Sequence, residues 1–161
     1  MNLLFVCTGN ICRSPLAEVI ARAEADARGW AEVTCASAGT FAFAGQPASG
    51  AGIAVAAAQG LDLAGHASRE LSPELLEWAD LVIGMEASHA RAAARLAPDA
   101  AVRVMTDFLR ADDEWSGGGV PDPYGGDLET YEATRKLLTR AMRGLFDALD
   151  EERGGREGSG P

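Results

Sequence analysis

Positive charge is scarce in this chain. Fourteen basic residues stand against twenty-four acidic ones, leaving a net charge of −10 and a pI near 4.6. Such a molecule repels nucleic acid and anionic membrane surfaces at long range, so neither is expected as a partner. Cysteine is scarcer still, with three in the chain. An odd count argues against a disulfide framework and suits a reducing cytoplasm. Long apolar runs are missing as well, and none approaches the ~18 residues that span a bilayer. The start, Met1 to Cys7, carries no basic residue and its apolar run is too short for a secretory signal. These absences together predict a cytoplasmic protein.

What is present fits one globular domain. The chain has 161 residues, 47% hydrophobic and 24% charged, and a chain of this length buries roughly 70% of its unfolded surface. No internal repeat divides it. The domain is expected over residues 1–150, and the Gly- and charge-rich stretch 151–161 is expected to be a disordered tail.

Leu3 to Cys7 is an uninterrupted apolar run, the pattern of a strand buried on both faces of a parallel sheet. Ser14-Pro15 then reads as an N-cap followed by a helix-opening proline, and the helix runs to Gly29. Further strands are predicted at Glu32 to Ala36, Leu81 to Met85 and Ala101 to Val104. Helices are predicted from Ala48 to Ala58, from Ser72-Pro73 to Trp78, from Glu86 to Leu96 and from Leu128 to Leu149. Ser37 to Pro47 and Met105 to Gly126 read as loops, the second long enough to suggest a functional one. Alternating strands and helices give an α/β fold: a four-stranded parallel sheet with helices on both faces and a ligand loop beyond the first strand.

That loop is Cys7-Thr8-Gly9-Asn10-Ile11-Cys12-Arg13-Ser14. Cys7 and Arg13 are the parts of a phosphate cradle closed by a thiolate. Backbone N–H groups of such a loop point inward at an anion, and the following helix aims its positive end there. Arg13 can fork onto two phosphate oxygens, and the same positive surroundings favour the nucleophilic thiolate of Cys7. Gly9 permits close approach of the backbone, and Asn10 tolerates a left-handed conformation. The spacing alone is weak, since three Cys and thirteen Arg give a chance match in roughly one such chain in four. Position makes the difference: the match follows the first strand and opens a helix.

Zinc is a poor alternative. Four residues separate Cys7 from Cys12, and His66 and His89 lie in no ligand spacing. A nucleotide-binding loop is excluded because the Gly-Lys-Ser/Thr ending is missing. Neither metal nor cofactor is expected.

A thiolate that displaces a phosphate monoester needs an acid for the leaving group. Asp122 stands between Pro121 and Pro123, a stiff arm bearing a carboxyl group. The same residues also read as an ordinary surface turn. Tyr124 and Phe43 are either loose packing residues or walls for a flat ring.

With these residues in hand the sequence resembles the low-molecular-weight protein tyrosine phosphatases, over nearly the whole chain to about residue 150. The resemblance rests on Val6 to Pro15, on Ser37-Ala38-Gly39-Thr40, on Ala79-Asp80-Leu81-Val82 and on Asp122-Pro123-Tyr124. It implies that Cys7 is the nucleophile, Arg13 the phosphate binder and Asp122 the general acid. Thr8, Gly9, Asn10, Ile11, Cys12 and Ser14 would complete the phosphate loop, with Ser14 bonded to the thiolate. Asn10, Ser37 and His66 would hold the loop in shape, and Cys12 would be the cysteine that can pair with Cys7 under oxidation. Phosphorylated proteins or peptides are the implied partners of a monomer or weak dimer, and the implied reaction passes through a phosphocysteine without a metal.

Phe41-Ala42 and the Pro121 to Gly126 ending resemble a bacterial branch that includes protein arginine phosphatases. That branch carries Thr where this sequence has Ile11. An apolar Ile suits an aromatic ring better than a guanidinium group, which favours phosphotyrosine over phosphoarginine. The loop Thr40 to Pro47 is one residue shorter than in many relatives, and Ile11, Phe43 and Tyr124 are the expected pocket walls. Arsenate reductases share the fold but use extra cysteines near the strand ending at Met85, and there are none here. A phosphocarrier or a phosphate reader without turnover would have no use for Asp122.

Overall fold

Asn2 and the five apolar residues after it, Leu3 to Cys7, form the first strand (β1, Asn2–Cys7), and those five are buried. The computed structural model describes residues 1–157. After β1 the chain runs through α1 (Arg13–Ala27), β2 (Thr34–Gly39), α2 (Gly50–Ala57), α3 (Pro73–Trp78), β3 (Leu81–Gly84), α4 (Ala87–Leu96) and β4 (Val102–Val104). A short 3-10 turn over Met105–Phe108 and a long helix, α5 (Leu128–Glu157), complete it. All pairings are parallel, in the order β2-β1-β3-β4.

Strand alternation divides the core. Leu3, Phe5, Cys7, Cys35 and Ile83 pack with α1, α2 and α5 on one face. Leu4, Val6, Ala36, Ala38 and Val82 pack with α3 and α4 on the other. The strand order reverses beside β1, so a crevice opens beyond the carboxyl ends of β1 and β3, where Cys7 ends its strand.

Several boundaries differ from those the sequence predicts. Helix α1 starts at Arg13 with Cys12 at its N-cap and no side-chain capping bond. Ser14 lies inside the first turn because its hydroxyl is engaged by the loop instead (below). Strand β2 starts two residues late and runs on to Gly39, where a loop was expected, because Ser37 to Gly39 pair with Phe5 to Cys7. Ser49 caps α2 by accepting from Gly52 N at 3.3 Å, while Ser72 caps α3 at the predicted place. Helix α5 passes Leu149 and continues to Glu157, so the first part of the expected tail is helical. Arg153 sits 4.4 Å over the Trp30 ring and pairs with Glu32, which gives that turn a partner. Residues 158–161 of the tail lie outside the described residues.

Candidate active site

The chain leaves β1 at Cys7, turns, and enters α1 at Arg13. Asn10 makes the turn possible by adopting φ 54°, alone among the described non-glycine residues. Its amide N–H approaches Cys7 Sγ at 3.3 Å, and its side-chain Nδ2 donates to Ser14 Oγ at 2.8 Å. Ser14 Oγ lies 2.9 Å from Cys7 Sγ. The sulfur is thus held between the Asn10 N–H and the Ser14 hydroxyl.

A second layer holds the loop from behind. His66 Nε2 lies 2.7 Å from the Asn10 carbonyl, which can only accept, so that nitrogen carries a proton. The backbone N–H of Arg69 donates to Asn10 Oδ1 at 3.0 Å, and its side-chain Nε donates to the Ser37 carbonyl at 3.0 Å. The Ser37 hydroxyl turns away to Glu18, so its expected place in the loop network is taken by its main chain, through Arg69. Gly39 is required for the close fit: a Cβ there would meet Thr8 O at 2.4 Å and Asn10 N at 3.0 Å.

Arg13 is 2% exposed, an unusual burial for an arginine and one that needs partners. Nη1 donates to the Val120 carbonyl at 2.9 Å and lies 3.5 Å from Glu86 Oε1. Nη2 lies 3.7 Å from Asp122 Oδ2. Nε is buried without a hydrogen-bond partner. An orphaned charged donor of this kind is costly unless an anion joins it. The long loop after β4 supplies both Val120 and Asp122, and Val120 N donates to Met85 O at 2.8 Å, which fastens the loop beside the end of β3.

Cys7, Thr8, Gly9, Ile11, Cys12, Arg13, Asp122 and Tyr124 surround a cleft of about 190 Å3. Asp122 is half exposed on its proline-flanked arm and accepts from Tyr124 N at 3.1 Å. Ile11 and Tyr124 line the cleft. Phe43 does not: it is 73% exposed and packs edge-on against Phe41, 6.1 Å between centroids. The loop that bears it is tied at Phe41, whose N–H donates to Thr8 O at 2.9 Å.

Three contributors escape a reading of the sequence. Glu86 follows β3 and reaches Arg13. His89, considered there only as a metal ligand, is buried, and its Nδ1 accepts from Glu86 N at 3.2 Å. Its Nε2 therefore carries the proton and donates to Thr8 Oγ1 at 2.9 Å. Burial, reinforced by nearby Arg13, pushes the imidazole down to about 4, so it is neutral at pH 7. Tyr131 Oη lies 3.2 Å from Cys12 Sγ. The spacing of Glu86 and His89 at a helix start was the one available signal for the first two.

Comparison with known proteins shows the family. The family described as "Low molecular weight phosphotyrosine protein phosphatase" matches residues 2–154. The low molecular weight protein-tyrosine-phosphatase Wzb of Salmonella typhi is 38% identical over 153 residues, covering 95% of this chain and 97% of that protein. The protein-arginine-phosphatase of Bacillus subtilis is 35% identical over 153 residues, covering 95% and 99%. A crystal structure of a low molecular weight protein tyrosine phosphatase from T. tengcongensis superimposes with a TM-score of 0.83 at 38% identity, covering 92% and 99%. With the family model matching residues 2–154 and relatives matched almost end to end, the chain belongs to the low molecular weight phosphotyrosine protein phosphatases.

Proposed function

We propose that this protein hydrolyses phosphotyrosine in phosphorylated proteins through a phosphocysteine intermediate. The observation that carries the reading is the convergence of Cys7, Arg13 and Asp122 on one small cleft. A phosphoryl group seated in the cleft would meet the Arg13 fork, including the partnerless Nε. Cys7 Sγ attacks phosphorus as the ester P–O bond breaks, and protonated Asp122 gives its proton to the leaving oxygen. The Asp122 carboxylate then takes a proton from water as that water attacks phosphorus, and the S–P bond breaks to free Cys7 and inorganic phosphate. Ser14 and Asn10 hold the sulfur through both steps.

Ile11 and Tyr124 are walls suited to a phenyl ring, which favours phosphotyrosine. The 35% identity to a protein-arginine-phosphatase keeps phosphoarginine as the second reading. We place the protein in the cytoplasm, where a reducing pool would keep Cys7, Cys12 and Cys35 as free thiols. Release of p-nitrophenol from its phosphate ester tests the reaction. Activity abolished in Cys7→Ser supports it, and undiminished activity in that variant defeats it. Side-by-side assays on phosphotyrosine and phosphoarginine peptides test the substrate.

A further inference from the structure

The three nitrogens of Arg13 have unequal surroundings. Nη1 is occupied, by the Val120 carbonyl at 2.9 Å and by Glu86 Oε1 at 3.5 Å. Nε has no partner, and Nη2 has only the 3.7 Å approach of Asp122. A guanidinium group grips a tetrahedral anion best with two parallel N–H bonds from one edge. Holding Nη1 on the far side leaves the Nε–Nη2 edge free for that grip.

We propose that Glu86 is a positioning residue for Arg13, holding Nη1 so that the Nε–Nη2 edge faces the phosphoryl group. This deepens the phosphatase reading and rests on it for the identity of the anion. Glu86 is well placed for the task. It stands at the N-cap of α4, where a carboxylate is favoured by the helix dipole. Its backbone N–H donates to His89 Nδ1, and its Oε1 lies 3.6 Å from His89 Nε2. Gly119 packs against it so closely that a Cβ there would come within 2.8 Å of Glu86 Cβ. The following residue supplies the Val120 carbonyl, so one contact sets both Nη1 partners together.

Electrostatics alone makes the opposite forecast. A negative charge beside the anion seat repels phosphate, and removing it should tighten binding. Orientation predicts weaker binding, so the sign decides.

The experiment compares wild type, Glu86→Gln, Arg13→Lys and the double variant. It measures the Kd of inorganic phosphate, from its protection of Cys7 against iodoacetate, alongside kcat and KM on p-nitrophenyl phosphate. The side chain of Glu86 is 43% exposed, so Glu86→Gln keeps the fold, which an unchanged thermal midpoint verifies. We expect Glu86→Gln to weaken phosphate roughly 10-fold and to lower kcat, the size of one charge-assisted contact. In the Arg13→Lys background, where no planar fork remains to orient, the weakening should vanish. Unchanged or tighter phosphate binding in Glu86→Gln, or an equal loss in both backgrounds, overturns the proposal. If wild type lacks turnover yet Glu86→Gln still weakens phosphate, the phosphatase reading fails and the positioning role stands.

Discussion

Tyr131 Oη lies 3.2 Å from Cys12 Sγ, so the C-terminal helix is joined to the end of the Cys7 loop, where α1 begins. The two cysteines of the loop consequently live in different worlds. Burial holds the Cys12 thiol above its ordinary value, only partly opposed by its bonds to Tyr131 and Ser49. Burial pushes Cys35 up to about 12. Cys7 ends β1 at the cleft beside the Asn10 N–H and the Ser14 hydroxyl. Iodoacetate at pH 7 should therefore label Cys7 in the native protein and spare Cys12 and Cys35, with inorganic phosphate protecting. Peptide mapping by mass spectrometry checks this, and equal labelling of Cys12 would contradict it.

Asp122→Ala should lower kcat on phenyl phosphate by roughly 10²–10⁴-fold, the worth of a placed general acid. The loss should shrink as the leaving group becomes a weaker base that departs without a proton. A series of substituted phenyl phosphates measures the trend, and a flat profile would move the acid to another carboxylate.

Ile11→Thr should shift the preference toward phosphoarginine. The change removes apolar area from the cleft wall and adds a hydroxyl within it. One such contact is worth roughly 10–200-fold in relative kcat/KM. Competing phosphotyrosine and phosphoarginine peptides on both proteins give the ratio. A wild-type protein that already prefers phosphoarginine would reverse the substrate assignment.

His89 makes stability depend on pH. Its folded value of about 4 lies below its ordinary 6.5, because burial disfavours the imidazolium. Above 6.5 both folded and unfolded forms are neutral and nothing is lost. As pH falls from 6.5 to about 4 the unfolded chain takes up a proton that the native one refuses. Stability should decline across that window by up to roughly 3 kcal/mol from this group. His89→Gln, which keeps a donor for Thr8, should flatten this part of the profile in denaturant titrations at pH 7, 6 and 5. An unchanged slope would mean that other groups carry it.

Much of the site could be read in advance because its chemistry is local. Cys7 to Ser14 is one turn between a strand and a helix, so its residue types and spacing already imply the cradle. Pro121 and Pro123 mark Asp122 by restricting the backbone around it. Where the reading missed, the cause lies in partners distant in sequence. Ser14 has the chemistry of an N-cap, but Asn10 and Cys7 claim its hydroxyl. Phe43 has the chemistry of a pocket wall, but it packs against Phe41 and stays exposed outside the cleft lining.

The sequence by itself determined the alternation of strands and helices, the burial of β1 on both faces, and the loop from Cys7 to Ser14 between strand and helix. Each follows from periodicity, capping or spacing within about ten residues, where chain geometry leaves few choices. Only the tertiary structure decided what stands behind those groups. Glu86 reaches Arg13 because β3 lies next to β1, and Val120 reaches it because Gly119 lets a distant loop lie against Glu86. Tyr131 meets Cys12 only because α5 packs beside α1 on the same face of the sheet. Such contacts join residues up to 119 positions apart, and the side chains involved are ordinary surface types until packing removes water from around them.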